Sequence, residues 1–371
     1  MLEGHALRVD DLDPHIGRAG RMRRQQPEQC ATQAEELTRL QCQLDHVTSS
    51  GLCSIVARLT PRSRPATAPS PTARSQGAPM PLSFNRPSLS ALALSAASFA
   101  APACADDALA GIRLFAVTAG HELIAVSAAE PGKITHSVKL VGLANEEQIL
   151  GIDFRVAHGV MFALGSSGRV FTVDVGSGNL KPVSETPLAL DGQRFGFDFN
   201  PAADRIRIVS DSRQNLRVHP QTGALVDATP DTDGVQPDAA LAYADDDAGA
   251  SLAPRIIAAA YTYNTRDEKL TTNFAIDANA ATLVRQGSIE GEEPIVSPNT
   301  GQLRTVGALG VDAIADAHFD ISDVTNTALA VFSTQAAPQP RLYRVDLATG
   351  AARMVGALGR GEALRGIAIE P

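Results

Sequence analysis

The stretch LGIDFRVAHGVMFALGSSGRVFTVDVGSGNLKPVS, running from Leu150 to Ser184, decides the fold. It opens on an alternating segment, Leu150-Gly-Ile-Asp-Phe154, and continues into an apolar run, Val160 to Leu164. The turn Gly165-Ser-Ser-Gly168 leads to a third run, Arg169 to Asp174, and Gly176-Ser-Gly178 leads to a fourth, Leu180 to Ser184. Short apolar or alternating runs joined by two to four turn-forming residues are hairpin signals, so this unit reads as four antiparallel strands.

The unit recurs. Phe195-Gly-Phe-Asp-Phe199 and Ala240-Leu-Ala-Tyr243 match its opening, with Gly151, Gly196 and Leu241 spaced 45 residues apart. Weaker copies stand at Ala315 to Ile321 and Leu364 to Ile369. Matching third strands are Leu123 to Ser127, Asn215 to His219, Phe274 to Asp277 and Leu342 to Asp346. Asp174, Asp277 and Asp346 end such strands and read as turn formers, since a carboxylate there bonds the backbone two residues on. Four short strands per unit of this length is the sequence pattern of a β-propeller, and no segment after residue 106 has the sustained period of a helical solenoid.

The ends of the repeat predict how the ring closes. The domain begins at Ile112 to Val117, equivalent to a second strand, and stops at Leu364 to Glu370, equivalent to a first. Pairing the last strand with the first removes an open edge. The interval from Leu241 to Ala317 is 76 residues long and holds an additional turn, Ser297-Pro-Asn-Thr-Gly301, before Gln302 to Gly307. The expectation is an all-β propeller of five blades with an insertion, with six blades as the alternative.

Charge divides the chain. Residues 1–105 carry 11 Lys or Arg against 8 Asp or Glu, whereas residues 106–371 carry 21 against 33, or −12 of the total −9. A body this acidic lacks the clustered cations that bind a phosphate backbone, so nucleic acid is set aside. Cys30, Cys42, Cys53 and Cys104 all precede residue 106, which excludes disulfides, thiolate metal sites and a cysteine nucleophile from the body.

From Met80 the chain has one Arg, an apolar stretch from Ala91 to Ala101, and Ala103-Cys104-Ala105. That is the order of a secretory signal peptide, with cleavage after Ala105, and the run is too short to span a membrane. Lipidation at Cys104 is the rival reading, disfavoured by the small residues before it. Residues 1–79 read as an upstream extension from an early start, residues 80–105 as the signal, and 106–371 as one exported domain, periplasmic or extracellular and monomeric.

Residues 112–371 resemble the bacterial exported family known as domain of unknown function 4394. The resemblance rests on Phe195 to Pro201, Asp204-Arg-Ile-Arg-Ile-Val-Ser-Asp211, Gln214 to Arg217 and Thr222-Gly223, with Leu241 to Tyr243, Ala258 to Thr262, Val296 to Gly301 and Val306-Gly307. It implies secretion and a propeller-like fold, and brings no catalytic residues with it.

No Gly-x-Ser-x-Gly elbow is present after residue 106, and the histidines there (His121, His136, His158, His219 and His318) are not spaced as metal pairs. Two acidic loops, Asp227 to Gly234 and Asp245 to Asp247, offer oxygen donors for calcium but lack the EF-hand pattern. Solvated turns are the favoured reading, and no cofactor is expected. Polar residues are densest at Arg205, Arg207, Asp211, Asn215 and Arg217. They read as an Arg-to-Asp network bracing neighbouring blades or, more sharply, as a site for a small anion or glycan. The functional expectation is a non-enzymatic module that binds a protein, glycan or small anionic ligand through loops on one face. The alternative is a lactonase- or lyase-like enzyme whose site gathers carboxylates and histidines on the central channel.

Overall fold

The structure, a computed structural model, describes residues 107–184 and 186–371. The expectations placed on residues 1–79, on the Met80 to Ala105 signal and on Cys104 lie outside the described residues. Among the described residues, twenty strands follow in chain order. Blade 1 holds β1 (Arg113–Thr118), β2 (Glu122–Ser127) and β3 (Glu130–Lys139). Blade 2 holds β4 (Ile149–Arg155), β5 (Val160–Gly165), β6 (Val170–Val173) and β7 (Leu180–Pro182). Blade 3 is β8 (Phe195–Asn200), β9 (Arg205–Ser210) and β10 (Asn215–Val218). The short β11 (Ala242–Tyr243) precedes blade 4, which holds β12 (Ile256–Tyr261), β13 (Asn273–Asp277), β14 (Thr282–Gln286) and β15 (Gln302–Ala308). Blade 5 is β16 (Ile314–Ile321), β17 (Ala328–Thr334), β18 (Arg341–Val345) and β19 (Ala352–Ala357), and β20 (Leu364–Ile369) returns to blade 1.

Five sheets result, and the first has the order β20-β1-β2-β3. Leu114 pairs with Ile369 and Ala116 with Ile367, so the ring closes on its own last strand as the repeat register predicted. Each sheet buries one face against the sheet before it and the other against the sheet after, because successive side chains point to opposite faces. On β5, Met161 and Ala163 pack toward Phe115 and Leu123 of blade 1, whereas Phe162 and Leu164 pack toward Phe197 and Ile208 of blade 3. The five apolar clusters are the five blade interfaces. Their aliphatic and phenyl content explains how a chain without tryptophan fills the core.

The inner strands β4, β8, β12, β16 and β20 line the axis, each beside the next, and β20 lies beside β4. Space there is short. A Cβ on Gly151 would stand 2.6 Å from the Phe197 Cβ, and one on Gly196 would stand 2.5 Å from the Ala259 nitrogen. Glycine at the head of these strands is what lets the blades converge.

The third copy of the opening segment requires correction. Ala240 to Tyr243 is not an inner strand: only Ala242 and Tyr243 pair, in parallel, with Gln302 and Leu303 at the outer edge of blade 4. The inner place belongs to Ile256–Tyr261, buried along its whole length. Its run Ile-Ile-Ala-Ala-Ala-Tyr carries neither the glycine of β4, β8 and β20 nor the aspartate of β4, β8 and β16, so the motif points to the wrong segment. The long interval then resolves. Ser297 to Gly307 is the turn and outer strand of blade 4, with β15 paired to β14, and the count is five. Blade 3 has three full strands, completed by a single bridge between Val218 and Leu225.

Candidate functional site

The inner strands all run toward the same face of the ring, and three of them carry an aspartate at the same register. Asp153 on β4, Asp198 on β8 and Asp320 on β16 share this position with Ala260 on β12 and Ala368 on β20. Hydrogen bonds fix the equivalence. Phe199 N donates to Asp153 Oδ2 (2.7 Å), Tyr261 N to Asp198 Oδ1 (3.0 Å) and Ile369 N to Asp320 Oδ2 (2.5 Å). In every case the donor is the amide one residue beyond the equivalent position on the next inner strand. The amide after Asp320 faces Ala260, which offers no acceptor, and Ile321 N donates instead to Asp320 Oδ1 at 2.6 Å. A carboxylate on one blade thus satisfies an edge amide of the next, which would otherwise be buried without a partner.

The ring brings these three carboxylates together. One oxygen from each of Asp153, Asp198 and Asp320 lies within 4.8 Å of the other two, and all three residues are buried. None of the ion pairs among the described residues includes them. Two unit charges 4.8 Å apart repel by about 3.5 kcal/mol at an effective dielectric near 20, so the three pairs among three ionised carboxylates carry a cost of about 10 kcal/mol before desolvation. Burial raises the carboxyls of Asp153 and Asp198 well above the ordinary range, and repulsion from neighbouring aspartates adds to it. Asp320 is pushed up to about 8, again chiefly by burial. Asp323, half-buried just past the end of β16, is pushed up to about 7 by the same cause.

Two arrangements relieve this charge, namely protons shared among the carboxyls or a cation between them. The donor set is hard oxygen, and calcium sits 2.3–2.6 Å from such ligands. Oxygens held within 4.8 Å of one another fit around one centre of that radius.

Above the cluster, on the face where the inner strands end, lies a cavity of about 440 Å³. Arg155 ends β4 and Asn200 ends β8, and both line it together with Asp323, Tyr263, Asp204 and Lys269. Arg155 is held by Asp204 through Nε to Oδ1 (2.7 Å) and Nη2 to Oδ2 (2.5 Å). The opposite end of the axis is basic: Arg194, paired with Asp316 at 3.1 Å, lies beside Arg365 and His318, whose imidazole burial pushes down. A larger hollow of about 610 Å³ lies beside blade 5, between Thr325 to Ala328 and Val345 to Arg353. Its one carboxylate, Asp346, serves a turn.

The residues singled out from sequence lie elsewhere. Arg207 is 2% exposed and donates to Tyr261 Oη, Asn215 Oδ1, Asp238 Oδ2 and Asn299 Oδ1. Arg217 forks onto the same Asp238, and Asn215 bonds Gln286 and the Ala239 carbonyl. Arg205 donates to the carbonyls of Ala203 and Asp204, and Asp211 accepts from the amides of Gln193 and Arg194. Arg207 and Asn215 join blade 3 to blade 4, Arg205 and Asp211 bond within blade 3, and none of the five bonds an axial aspartate. In the acidic loops, Asp227 accepts from Thr229 and Gln236 amides, Asp247 holds Thr305, and Asp246 pairs with Arg304. Asp174 and Asp346 cap their turns as expected. The sequence reading passed over the axial aspartates, although they stand in the quoted repeats, and the signal that could have found them is an aspartate one residue before the last in three of the copies.

Fold and axis together define a five-bladed β-propeller with a buried acidic centre. The chain belongs to the family described as Domain of unknown function (DUF4394), which matches residues 122–368. None of the curated proteins matches it. Among solved structures, a protein from Lactobacillus plantarum is similar at 16% identity and TM-score 0.31, over 69% of this chain and 71% of that one. A protein of unknown function from Bacteroides thetaiotaomicron is similar at 10% identity and TM-score 0.34, over 65% of this chain and 56% of its own. The propeller assignment stands on the strand pairing.

Proposed function

We propose that this chain is an exported binding propeller that holds one hard divalent cation of the calcium class on its axis, among Asp153, Asp198 and Asp320. The observation that carries the reading is the convergence of Asp153, Asp198 and Asp320, buried and without a cationic partner among the described residues. Asp323, which lines the cavity and is close enough to Asp320 to help raise its carboxyl, adds a fourth carboxylate beside the cluster. Export rests on the Met80 to Ala105 pattern. No helix among the described residues is long and apolar enough to cross a membrane.

Calorimetric titration of the full chain with calcium, after treatment with a chelator, tests this. One site per chain is expected, lost in Asp198→Asn and in Asp320→Asn and retained in Asp246→Asn. Binding that survives both axial variants would move the ion to the acidic loops, and no binding would leave the cluster to protons.

A further inference from the structure

We infer that the basic end of the axis binds one monovalent halide ion, of the chloride class, between Arg194 and Arg365. None of the axial aspartates takes part, so the site is independent of the cation reading. All five inner strands meet at this mouth. Leu150 of β4, Phe195 of β8, Ile257 of β12, His318 of β16 and Arg365 of β20 ring a recess of about 20 Å³, which Arg194 and Asp316 also line. That space admits a particle about the size of a water molecule and is far smaller than an organic-ligand site.

Charge and donors both call for an anion. Arg194 and Arg365 bring two positive charges to the recess, and Asp316, paired with Arg194 at 3.1 Å, returns one negative charge. Burial holds His318 below its ordinary 6.5, so above that pH it adds none. One positive charge is left over. Arg365 enters none of the ion pairs among the described residues, and its Nε is a buried donor without a hydrogen-bond partner. Arg194 Nε is also buried without a hydrogen bond, because the Asp316 carboxylate is near it but out of line. A buried N–H of this kind costs free energy until an acceptor reaches it. A halide between the two guanidinium groups supplies the acceptor and the balancing charge together. The apolar wall of Leu150, Phe195 and Ile257 disfavours sulfate, which is larger, doubly charged and strongly hydrated.

The test is the width of the chloride NMR line in the presence of the full chain, recorded in chelator so that calcium plays no part. The protein should broaden the line, and bromide at comparable concentration should reverse the broadening. Sulfate at matched ionic strength should leave it in place. Arg365→Met keeps the apolar stem and removes both charge and donor, so it should cut the broadening at least about fivefold while circular dichroism shows the fold retained. No broadening by the native chain, competition by sulfate equal to that by bromide, or undiminished broadening in folded Arg365→Met would each overturn the halide site. If Arg365→Met does not fold, the contrast between bromide and sulfate on the native chain decides.

Discussion

Phe199 N donates to Asp153 Oδ2 at 2.7 Å, so one carboxylate both faces the axis and fastens blade 3 to blade 2. Its two roles are separable by substitution, because an amide oxygen accepts as a carboxylate does but carries no charge.

Asp153→Asn should keep the Phe199 bond and remove one of three repelling charges. The cation-free protein should melt at the same or a higher temperature at pH 8, and calcium should no longer raise it. Asp153→Leu leaves the Phe199 amide buried without an acceptor and should cost about 1–3 kcal/mol relative to Asp153→Asn. Urea unfolding of the two variants compares them directly, and equal stabilities would deny the carboxylate its bracing role.

Stability without a cation should fall as pH rises. Asp320 titrates near 8 and Asp323 near 7 in the folded chain, against an ordinary 3.8 when unfolded. The folded state therefore holds protons that the unfolded chain has already released, and stability declines from about pH 4 through about pH 8 by up to ~1.4 kcal/mol per unit for each proton held. His219 and His318, pushed below 6.5 by burial, act in the opposite sense only under that pH. Melting in chelator should drop between pH 6.5 and pH 9, and calcium should offset the loss. A flat profile in chelator would contradict the assigned protonation.

Arg207 braces rather than decorates. Its guanidinium is buried against Asp238, Asn215, Asn299 and Tyr261, and Arg207→Ala strands the Asp238 carboxylate with Arg217 alone. A loss of about 3–5 kcal/mol is expected from chemical denaturation. A change under 1 kcal/mol would show that the network contributes little to joining blades 3 and 4.

Removing residues 364–371 should unfold the ring as a unit. Leu364, Ile367 and Ile369 lie in the apolar layer between blades 5 and 1, and Ile369 N serves Asp320. Without β20 the edge of β1 is bare and the Asp320 carboxylate loses a donor. A truncated chain as stable as the full one would refute closure by the last strand.

The ring was legible because its crowded axis leaves a mark. Gly151, Gly196 and Gly366 stand where a Cβ would strike the neighbouring inner strand, so the repeat is visible at those heads. Blade 4 breaks the mark. Ala258 and Ala260 stand in place of the glycine and aspartate, and the buried run Ile256–Tyr261 resembles any core strand, so Ala240 to Tyr243 matches the repeat better than the true inner strand does. The aspartates were visible singly, but Asp198 and Asp320 are 122 residues apart and meet only when the ring closes. The arginines of β9 drew attention for their density, a signal that does not distinguish a buried brace from an open site.

A crystal grown with calcium and measured for anomalous scattering shows directly whether the three aspartates hold an ion. One peak is expected on the axis, about 2.3–2.6 Å from oxygens of Asp153, Asp198 and Asp320. An axis without a peak in calcium-soaked crystals, or a peak only at the Asp227 to Gly234 loop, would contradict it.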